Sequence, residues 1–258
     1  MKKQYKYIYG PVSSWRLGRS LGIDVICTTP KTCTFNCVYC QLGRKGKTTD
    51  KRKIYAATDE ILKEVKSLPK MNVDYITFSG SGEPTLAKNL GELIEEIKKI
   101  RTDKIAVLTN ASFLMQKDVR RALQNADLVE IKLDACTEDC FKRINRPARN
   151  IRLKDIIKGI REFTKGYNGK FAIQVMFIAK NKNEAEGIAS LLKEIKPDEV
   201  HINTPLRPSG ARPLSKKEIR KISEYFKGFK TLCVYEKKKK RTMPINIKDT
   251  IKRRGKKI

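Results

Sequence analysis

From residue 22 onward, short runs of β-branched and apolar residues alternate with amphipathic segments. In the segment 87–100, Leu90, Leu93, Ile94 and Ile97 recur at the spacing of one helix face. Similar patterns predict helices at 57–68, 87–100, 117–124, 138–144, 153–163, 183–195 and 215–226. The apolar runs between these segments predict strands at 22–26, 73–78, 104–109, 128–133, 171–178 and 199–203.

Strands that alternate with helices at this spacing form parallel sheets, because each helix returns the chain to the same end of the sheet. Six such units predict an α/β fold, a partial (β/α)6 barrel of the TIM type, with functional side chains at the carboxyl ends of the strands. We expect one domain at 21–229, flanked by an N-terminal extension at 1–20 and a basic C-terminal extension at 230–258.

Three of the seven cysteines lie within eight residues of each other. Cys33, Cys37 and Cys40 have the spacing C-x3-C-x2-C, and Tyr39 precedes the last of them. Three thiolates can bind an iron–sulfur cluster and leave one iron without a protein ligand, whereas four cysteine ligands give an electron carrier. The alternatives are a chance group of buried thiols and a zinc knuckle. Zinc usually requires two Cys/His pairs, but no second C-x2-C follows and the single histidine, His201, is distant in sequence.

A glycine-rich loop follows the second predicted strand. Gly80, Ser81, Gly82 and Glu83 lie there, and the glycines allow the backbone to approach a ligand closely. Glu83 places a carboxylate at the mouth of the predicted barrel. A plain strand-to-helix turn is the alternative.

Polar residues also end the third and fourth predicted strands. Asn110 and Ser112 either bind a ligand or cap a turn. Lys132 and Asp134 are two residues apart and therefore share one face of a strand. They either form a structural ion pair or bind something polar at the barrel mouth.

The last predicted strand carries His201 and Asn203 on one face. A lone histidine is more often structural than catalytic, but its place near a strand end makes it a candidate for contact with a cofactor or substrate. Cys27, Cys136 and Cys140 also follow predicted strands. For these thiols the alternatives are a second cluster, a radical-quenching thiol and simple packing.

The chain is strongly basic, with 57 Lys and Arg against 28 Asp and Glu and a formal net charge of +29. The excess is concentrated at 44–53, at 142–154 and at 230–258. Clustered positive charge indicates a polyanionic partner such as nucleic acid, although a lysine-rich solvated surface is the alternative. No apolar run is long enough to span a bilayer. The cysteine usage and the charged start of the chain, which lacks a signal peptide, predict a cytoplasmic protein.

The cysteine motif resembles the signature of the radical S-adenosylmethionine (radical SAM) superfamily. In that superfamily the vacant iron binds S-adenosylmethionine, and reduction of the cluster cleaves this cofactor to a 5′-deoxyadenosyl radical that abstracts hydrogen from a substrate. The resemblance implies a partial barrel of the radical SAM type and a [4Fe–4S] cluster on Cys33, Cys37 and Cys40. It also implies an external electron donor such as flavodoxin or ferredoxin. The residues implied to bind the cofactor are Tyr39, Gly80, Ser81, Gly82, Glu83, Asn110, Ser112, Lys132, Asp134, His201 and Asn203.

Segments 9–22, 33–44, 79–86 and 144–147 resemble a group of small radical SAM proteins related to the wyosine synthases. Those synthases modify the guanosine beside the tRNA anticodon, so the resemblance implies an enzyme that modifies tRNA. Two other function classes remain open. One is an enzyme that acts on a protein, as glycyl-radical activases do with the same three-cysteine loop. The other is a non-catalytic electron carrier, which would need four cysteine ligands and has no use for the Glu83 loop.

Overall fold

The computed structural model describes residues 4–43 and 45–254. The strands are β1 (Ile8–Ser14), β2 (Gly18–Ile23), β3 (Lys31–Cys33), β4 (Gly46–Thr48), β5 (Tyr75–Phe78), β6 (Lys104–Thr109), β7 (Leu128–Lys132), β8 (Lys170–Met176), β9 (Glu199–Asn203) and β10 (Thr231–Cys233). The helices are α1 (Thr58–Lys66), α2 (Leu90–Ile100), α3 (Lys117–Ala122), α4 (Glu138–Asn145), α5 (Leu153–Thr164), α6 (Ala185–Ile195), α7 (Lys216–Ser223) and α8 (Ile247–Arg254). In these described residues, no helix is both long and apolar enough to cross a bilayer.

An eight-stranded sheet in the order β1-β2-β5-β6-β7-β8-β9-β10 forms the centre of the molecule. Strands β2, β5, β6, β7, β8 and β9 are parallel neighbours, each connected to the next through one or two helices. The inner strands are buried almost throughout, as expected for a parallel sheet covered by helices. The prediction of an α/β partial barrel with six parallel strands is confirmed.

Two edge strands extend this sheet beyond the six predicted units. Strand β1 pairs antiparallel with β2, and β10 pairs parallel with β9. Gly10 and Pro11 interrupt the apolar pattern of β1, which explains why the sequence did not predict it. Proline lacks a backbone donor and is tolerated in an edge strand. Both proposed extensions therefore contribute a strand to the sheet, while the division at 21–229 stays a prediction.

The turn between β1 and β2 closes the amino end of the barrel. Leu17 packs there against Ala106, Leu128 and Ala172, which lie near the starts of the parallel strands. The preceding residue, Arg16, has its guanidinium inside the barrel. The sequence did not predict this closure of the barrel by the β1–β2 turn, because Leu17 packs against strands more than eighty residues further along the chain.

The C-terminal segment folds back onto the first strand. The Ile245 N–H donates to the Gly10 carbonyl at 2.6 Å, and the Gly10 N–H donates to Thr250 Oγ1 at 3.1 Å. From α8, the Arg253 side chain is 3 % exposed, and its Nε lies 3.4 Å from Asp24 Oδ2. This part of the basic tail is therefore structural. Arg44, Lys256 and Lys257 of the predicted basic segments lie outside the described residues.

Candidate functional site

The cysteine loop begins at Cys33, the last residue of β3, which pairs with β4 outside the eight-stranded sheet. The end of α4 holds this loop. The Asn36 N–H donates to the Asn145 carbonyl at 3.0 Å, and the Val38 N–H donates to the Ile144 carbonyl at 2.9 Å. The last carbonyls of a helix have no partner within the helix, so they are available to pair with a neighbouring loop. Helix α4 thus fixes the backbone on which the three cysteines lie.

All seven cysteines lie in the described residues as free thiols. Burial raises the pKa of Cys33 to about 12 and also raises the pKa of Cys37. Amide groups lie beside both sulfurs: Asn110 Nδ2 is 3.8 Å from Cys33 Sγ, and Asn145 Nδ2 is 3.5 Å from Cys37 Sγ. In the described part of the chain, no three Cys, His, Asp or Glu side chains surround a position for a single metal ion. The donor set on the loop, three thiols without carboxylate, is soft and suits an iron–sulfur cluster.

A cavity of about 370 Å³ opens beside the cysteine loop and extends into the barrel. Its volume lies within the range of small-molecule sites. The predicted site residues that line it are Cys37, Tyr39, Cys40, Gly80, Gly82, Lys132 and Asn203. The predicted site residues outside its lining are Cys33, Ser81, Glu83, Asn110, Ser112, Asp134 and His201. The predicted site residues therefore fall into two groups: those that line the cavity and can contact a ligand, and those that lie behind the cavity wall.

The glycine-rich loop packs directly on the strand that leads into the first cysteine. The Thr32 N–H donates to the Ser81 carbonyl at 3.0 Å, and a Cβ at Gly82 would overlap the Thr32 carbonyl oxygen. At Gly80 the φ angle is +146°, and a Cβ would overlap Asp24. Both positions therefore require glycine. The absent side chains let the loop reach the cysteine segment and leave its backbone facing the cavity.

Glu83 lies behind this loop and connects it to the end of β6. Its Oε1 accepts from Thr85 Oγ1 at 2.7 Å and from Thr109 Oγ1 at 2.6 Å, while Oε2 accepts from the Asn110 N–H at 2.7 Å. Burial raises the pKa of Glu83, although these hydrogen bonds favour the carboxylate. Asn110 in turn donates to Thr34 Oγ1 at 2.7 Å, beside Cys33. Through this chain the Glu83 carboxylate positions the start of the cysteine loop.

Asp134 is a second buried acceptor that holds the cysteine loop in place. Oδ1 accepts from the Met176 N–H at 2.7 Å and lies 3.6 Å from Lys132 Nζ. Oδ2 accepts from Tyr39 Oη and, at 2.8 Å, from Asn145 Nδ2. Lys132 Nζ also lies 4.7 Å from the centre of the Tyr39 ring. The pair at the end of β7 therefore fixes Tyr39, and only Lys132 faces the cavity.

We expect Asp134→Ala to lower the free energy of unfolding by about 3–5 kcal/mol, because three donors and a lysine lose their acceptor in a buried site. Urea unfolding followed by circular dichroism measures this change. Asp139→Ala, at an exposed position of α4, is the matched control and is expected to change stability by less than about 0.5 kcal/mol. Equal stabilities of the two variants would contradict the role of Asp134 in fixing the loop.

His201 lies within the barrel, below the cavity. Its Nδ1 is 2.8 Å from Glu130 Oε2, and its Nε2 is 3.3 Å from Glu199 Oε2. Burial lowers the pKa of His201 despite the neighbouring Glu199 carboxylate. Since both ring nitrogens have protein partners, the geometry favours the structural alternative for this histidine. Asn203, two residues further along β9, reaches the cavity.

The structure does not bring Cys27 together with Cys136 and Cys140. Cys27 Sγ lies 3.5 Å from Arg253 Nη2 beside α8, whereas Cys136 Sγ lies 3.2 Å from Glu184 Oε2 near the start of α6. Burial raises the pKa of Cys136 to about 12, and the Glu184 carboxylate adds to the effect. These contacts favour packing for the three thiols.

Sequence reasoning missed several residues around the cavity. Asn145 bridges Cys37, Tyr39 and Asp134, yet only its membership of segment 144–147 marked it. Arg16 likewise falls within segment 9–22, but nothing there indicated that its guanidinium enters the barrel. Arg207 and Arg254 carried no signal beyond general basicity, since only the tertiary structure places them on the cavity wall.

Comparison with known proteins identifies the family. A model of the radical SAM superfamily matches residues 28–192. A UPF0026 protein of Synechocystis sp. is 46% identical over 209 residues, which cover 81% of this chain and 78% of the relative. A UPF0026 protein of Methanocaldococcus jannaschii is 36% identical over 223 residues, which cover 84% of this chain and 68% of the relative.

Among solved structures, Streptococcus suis SuiB bound to S-adenosylmethionine aligns with a TM-score of 0.60 and 16% sequence identity. The alignment covers 79% of this chain but only 48% of SuiB, so the chain spans about half of that protein. This similarity shows a shared fold. The family model spans the cysteine loop, the glycine-rich loop and most of the parallel sheet, and the chain therefore belongs to the radical SAM superfamily and is a radical SAM enzyme.

Proposed function

We propose that this enzyme modifies RNA, with tRNA as the substrate, as the resemblance of its sequence segments to proteins related to the wyosine synthases implies. Cys33, Cys37 and Cys40 would hold a [4Fe–4S] cluster at the edge of the cavity. When bound, the cluster and S-adenosylmethionine supply a 5′-deoxyadenosyl radical for hydrogen abstraction, with the electron coming from an external donor such as flavodoxin or ferredoxin. Gly80 and Gly82 line the cavity, so their backbone groups could contact the cofactor there.

Two side chains would complete the cofactor site. Lys132 and Asn203 lie on the cavity wall at the carboxyl ends of β7 and β9, where an ammonium and an amide can bind the carboxylate or hydroxyl groups of a cofactor. Glu83, Asn110 and Asp134 act behind this wall, where their hydrogen bonds orient the loops that carry the cysteines and the glycines.

The observation that carries the RNA proposal is a basic surface beside the cysteine loop. Residues 48–50 and 146–150 lie against each other, and Asn150 Nδ2 donates to Asp50 Oδ2 at 2.8 Å. Together with Asn36 of the cysteine loop they line a shallow, open cleft. Arg146 and Arg149 are the cations that line the cleft, and the exposed Lys45, Lys47, Lys51 and Lys53 flank residues 48–50 along the chain. Two basic segments that are separated in sequence thus meet beside the cysteine loop, where positive charge attracts a polyanion.

Hydrogen transfer tests the proposal directly. The reconstituted, reduced enzyme is incubated with S-adenosylmethionine and deuterium-labelled tRNA, and 5′-deoxyadenosine is analysed by mass spectrometry. We expect deuterium in 5′-deoxyadenosine from the tRNA and none from deuterium-labelled cell protein. Transfer from protein alone would replace the RNA substrate by a protein substrate. Absence of 5′-deoxyadenosine in every reaction would count against radical chemistry itself.

The basic surface predicts strongly salt-dependent RNA binding. Neutralising phosphates releases counterions, so replacing Lys47, Lys51, Arg146 and Arg149 by Gln should reduce the slope of log affinity against log salt by about 0.7 per lost contact. Filter binding of tRNA at several salt concentrations measures the slope. The matched control removes four exposed cations of α7, through Gln at Lys216, Lys217, Arg220 and Lys221.

Equal slopes for these two variants would contradict a localised RNA surface. Substitution is the appropriate design here, because removing residues 237–258 would also delete α8 and the contact of Arg253 with Asp24.

A further inference from the structure

The cavity beside the cysteine loop has a strongly one-sided charge. Of the residues that the structure describes, no aspartate or glutamate lines it. The basic residues in its lining are Arg16, Lys132, Arg207, Lys239, Arg253 and Arg254. A concave site with one sign of charge concentrates ligands of the opposite sign, since its walls exclude much of the screening solvent.

Three of these cations have acidic partners behind the cavity wall. Arg16 contacts Glu130, Lys132 Nζ lies 3.6 Å from Asp134, and Arg253 Nε lies 3.4 Å from Asp24. Arg207 and Arg254 differ from them. The Arg207 Nη1 donates to Gln41 Oε1 at 3.2 Å and to the Arg254 carbonyl at 3.0 Å. Within the described ranges, neither of these two arginines forms an ion pair with a carboxylate.

Arg16, Arg207 and Arg254 also repel one another. Burial, together with the charges of Arg254 and Arg207, lowers the pKa of Arg16 to about 9. Burial and the charge of Arg254 lower the pKa of Arg207 to about 10. Three guanidinium groups from the β1–β2 turn, the segment after β9 and α8 thus converge in a partly desolvated space. Glu130 offsets the charge of Arg16 in part, but Arg207 and Arg254 have no carboxylate partner in the described residues, so a bound anion stabilises the group.

We propose that Arg16, Arg207 and Arg254 bind a phosphate group of the substrate inside the cavity. The planar guanidinium fork matches phosphate oxygens with paired N–H donors, and several arginines can share one phosphate. Gln41, which contacts Arg207, directly follows Cys40, so a phosphate held here lies beside the cluster loop. This inference rests on the proposed function and names the group of the nucleic-acid substrate that the cavity recognises.

Equilibrium binding by calorimetry tests the assignment on the full-length, reconstituted protein. The probes are guanosine 5′-monophosphate, guanosine and a short RNA oligonucleotide. We expect the monophosphate to bind more tightly than guanosine, and Arg207→Gln and Arg254→Gln each to weaken its binding by about tenfold. Arg121→Gln, which removes one exposed charge on α3, is the matched control. Weakened oligonucleotide binding by the two cavity variants would identify a phosphodiester, and weakening confined to the monophosphate would identify a free nucleotide.

Four outcomes would overturn the assignment. The first three are equal binding of the monophosphate by the two cavity variants and the control, no preference for the monophosphate over guanosine, and no binding of any phosphate probe by the unaltered protein. A loss of S-adenosylmethionine binding in the same two variants would place the carboxylate of the cofactor at these arginines and would also overturn it. Deuterium transfer from tRNA is measured separately on unaltered enzyme, so failure of the RNA proposal is distinguishable from failure of this one. Thermal unfolding of both variants verifies that they are folded.

Discussion

A triple variant with alanine at Cys33, Cys37 and Cys40 is expected to contain almost no iron, whereas the unaltered protein reconstituted without oxygen should contain about four irons. The three thiols are free and share one loop that α4 holds in place. No 5′-deoxyadenosine should form with this variant, because the electron for cleaving S-adenosylmethionine passes through the cluster. Iron and sulfide assays, combined with chromatography for 5′-deoxyadenosine after dithionite reduction, measure both effects.

The chain provides a matched control for this experiment. Alanine at Cys27, Cys136 and Cys233 also removes three thiols, but these lie against Arg253, against Glu184 and on β10 respectively. That protein should keep its full iron content and its cleavage activity. Retention of a complete cluster by the first variant, or loss of iron from both variants alike, would refute the assignment of the three ligands.

The second large effect is expected at Glu83. Glu83→Gln preserves the shape of the side chain, but an amide nitrogen cannot accept the N–H of Asn110 or the hydroxyl protons that the carboxylate accepts. We expect the free energy of unfolding to fall by about 2 kcal/mol, since a buried donor loses its acceptor. Formation of 5′-deoxyadenosine should fall by about tenfold, which corresponds to a loss of roughly 1.4 kcal/mol in transition-state stabilisation.

Chemical denaturation and initial rates of cleavage measure the two consequences separately. Glu186→Gln, at an exposed position of α6, is the control and should change neither quantity. A Glu83→Gln protein of unchanged stability that loses only affinity for S-adenosylmethionine would assign the carboxylate to direct cofactor binding. Unchanged stability and unchanged cleavage together would remove Glu83 from the site.

Prediction from sequence was most successful for the parallel strands and the helices between them. Leu90, Leu93, Ile94 and Ile97, for example, are all buried along α2 as their spacing indicates. The edge strand β1 escaped prediction, because Gly10 and Pro11 interrupt both its apolar pattern and its ladder with β2. The backbone of Gly10 instead pairs with Ile245 and Thr250, which come from the far end of the chain. The first predicted strand was placed at 22–26, but the observed strand β2 already ends at Ile23. At Asp24 the chain turns, and the side chain accepts the N–H of Cys27 at 2.9 Å.

The predicted site residues also divide into those identified from local conformation and those whose contacts come from distant parts of the chain. Glycine at positions 80 and 82 was identified from local conformational freedom, and the structure requires glycine at both. Asp134 and His201 were candidates for cofactor contact because they lie on or near strand ends. Tyr39 donates to Asp134, and Glu130 contacts His201. These protein partners come from other parts of the chain and occupy the polar atoms that a ligand would need. Sequence position therefore located these residues near the site without deciding what they contact.

The sequence by itself determined the alternation of strands and helices and the cysteine triplet, since both depend on spacings of a few residues. Hydrophobic periodicity and the reach of three thiolates on one short loop are local properties. The tertiary structure alone decided which polar groups face the cavity. Tyr39 meets Asp134 across 95 positions, and Arg16 meets Glu130 across 114. Such contacts depend on how the barrel closes and on where α8 returns, because burial and charge pairing act between residues brought together only by the complete fold.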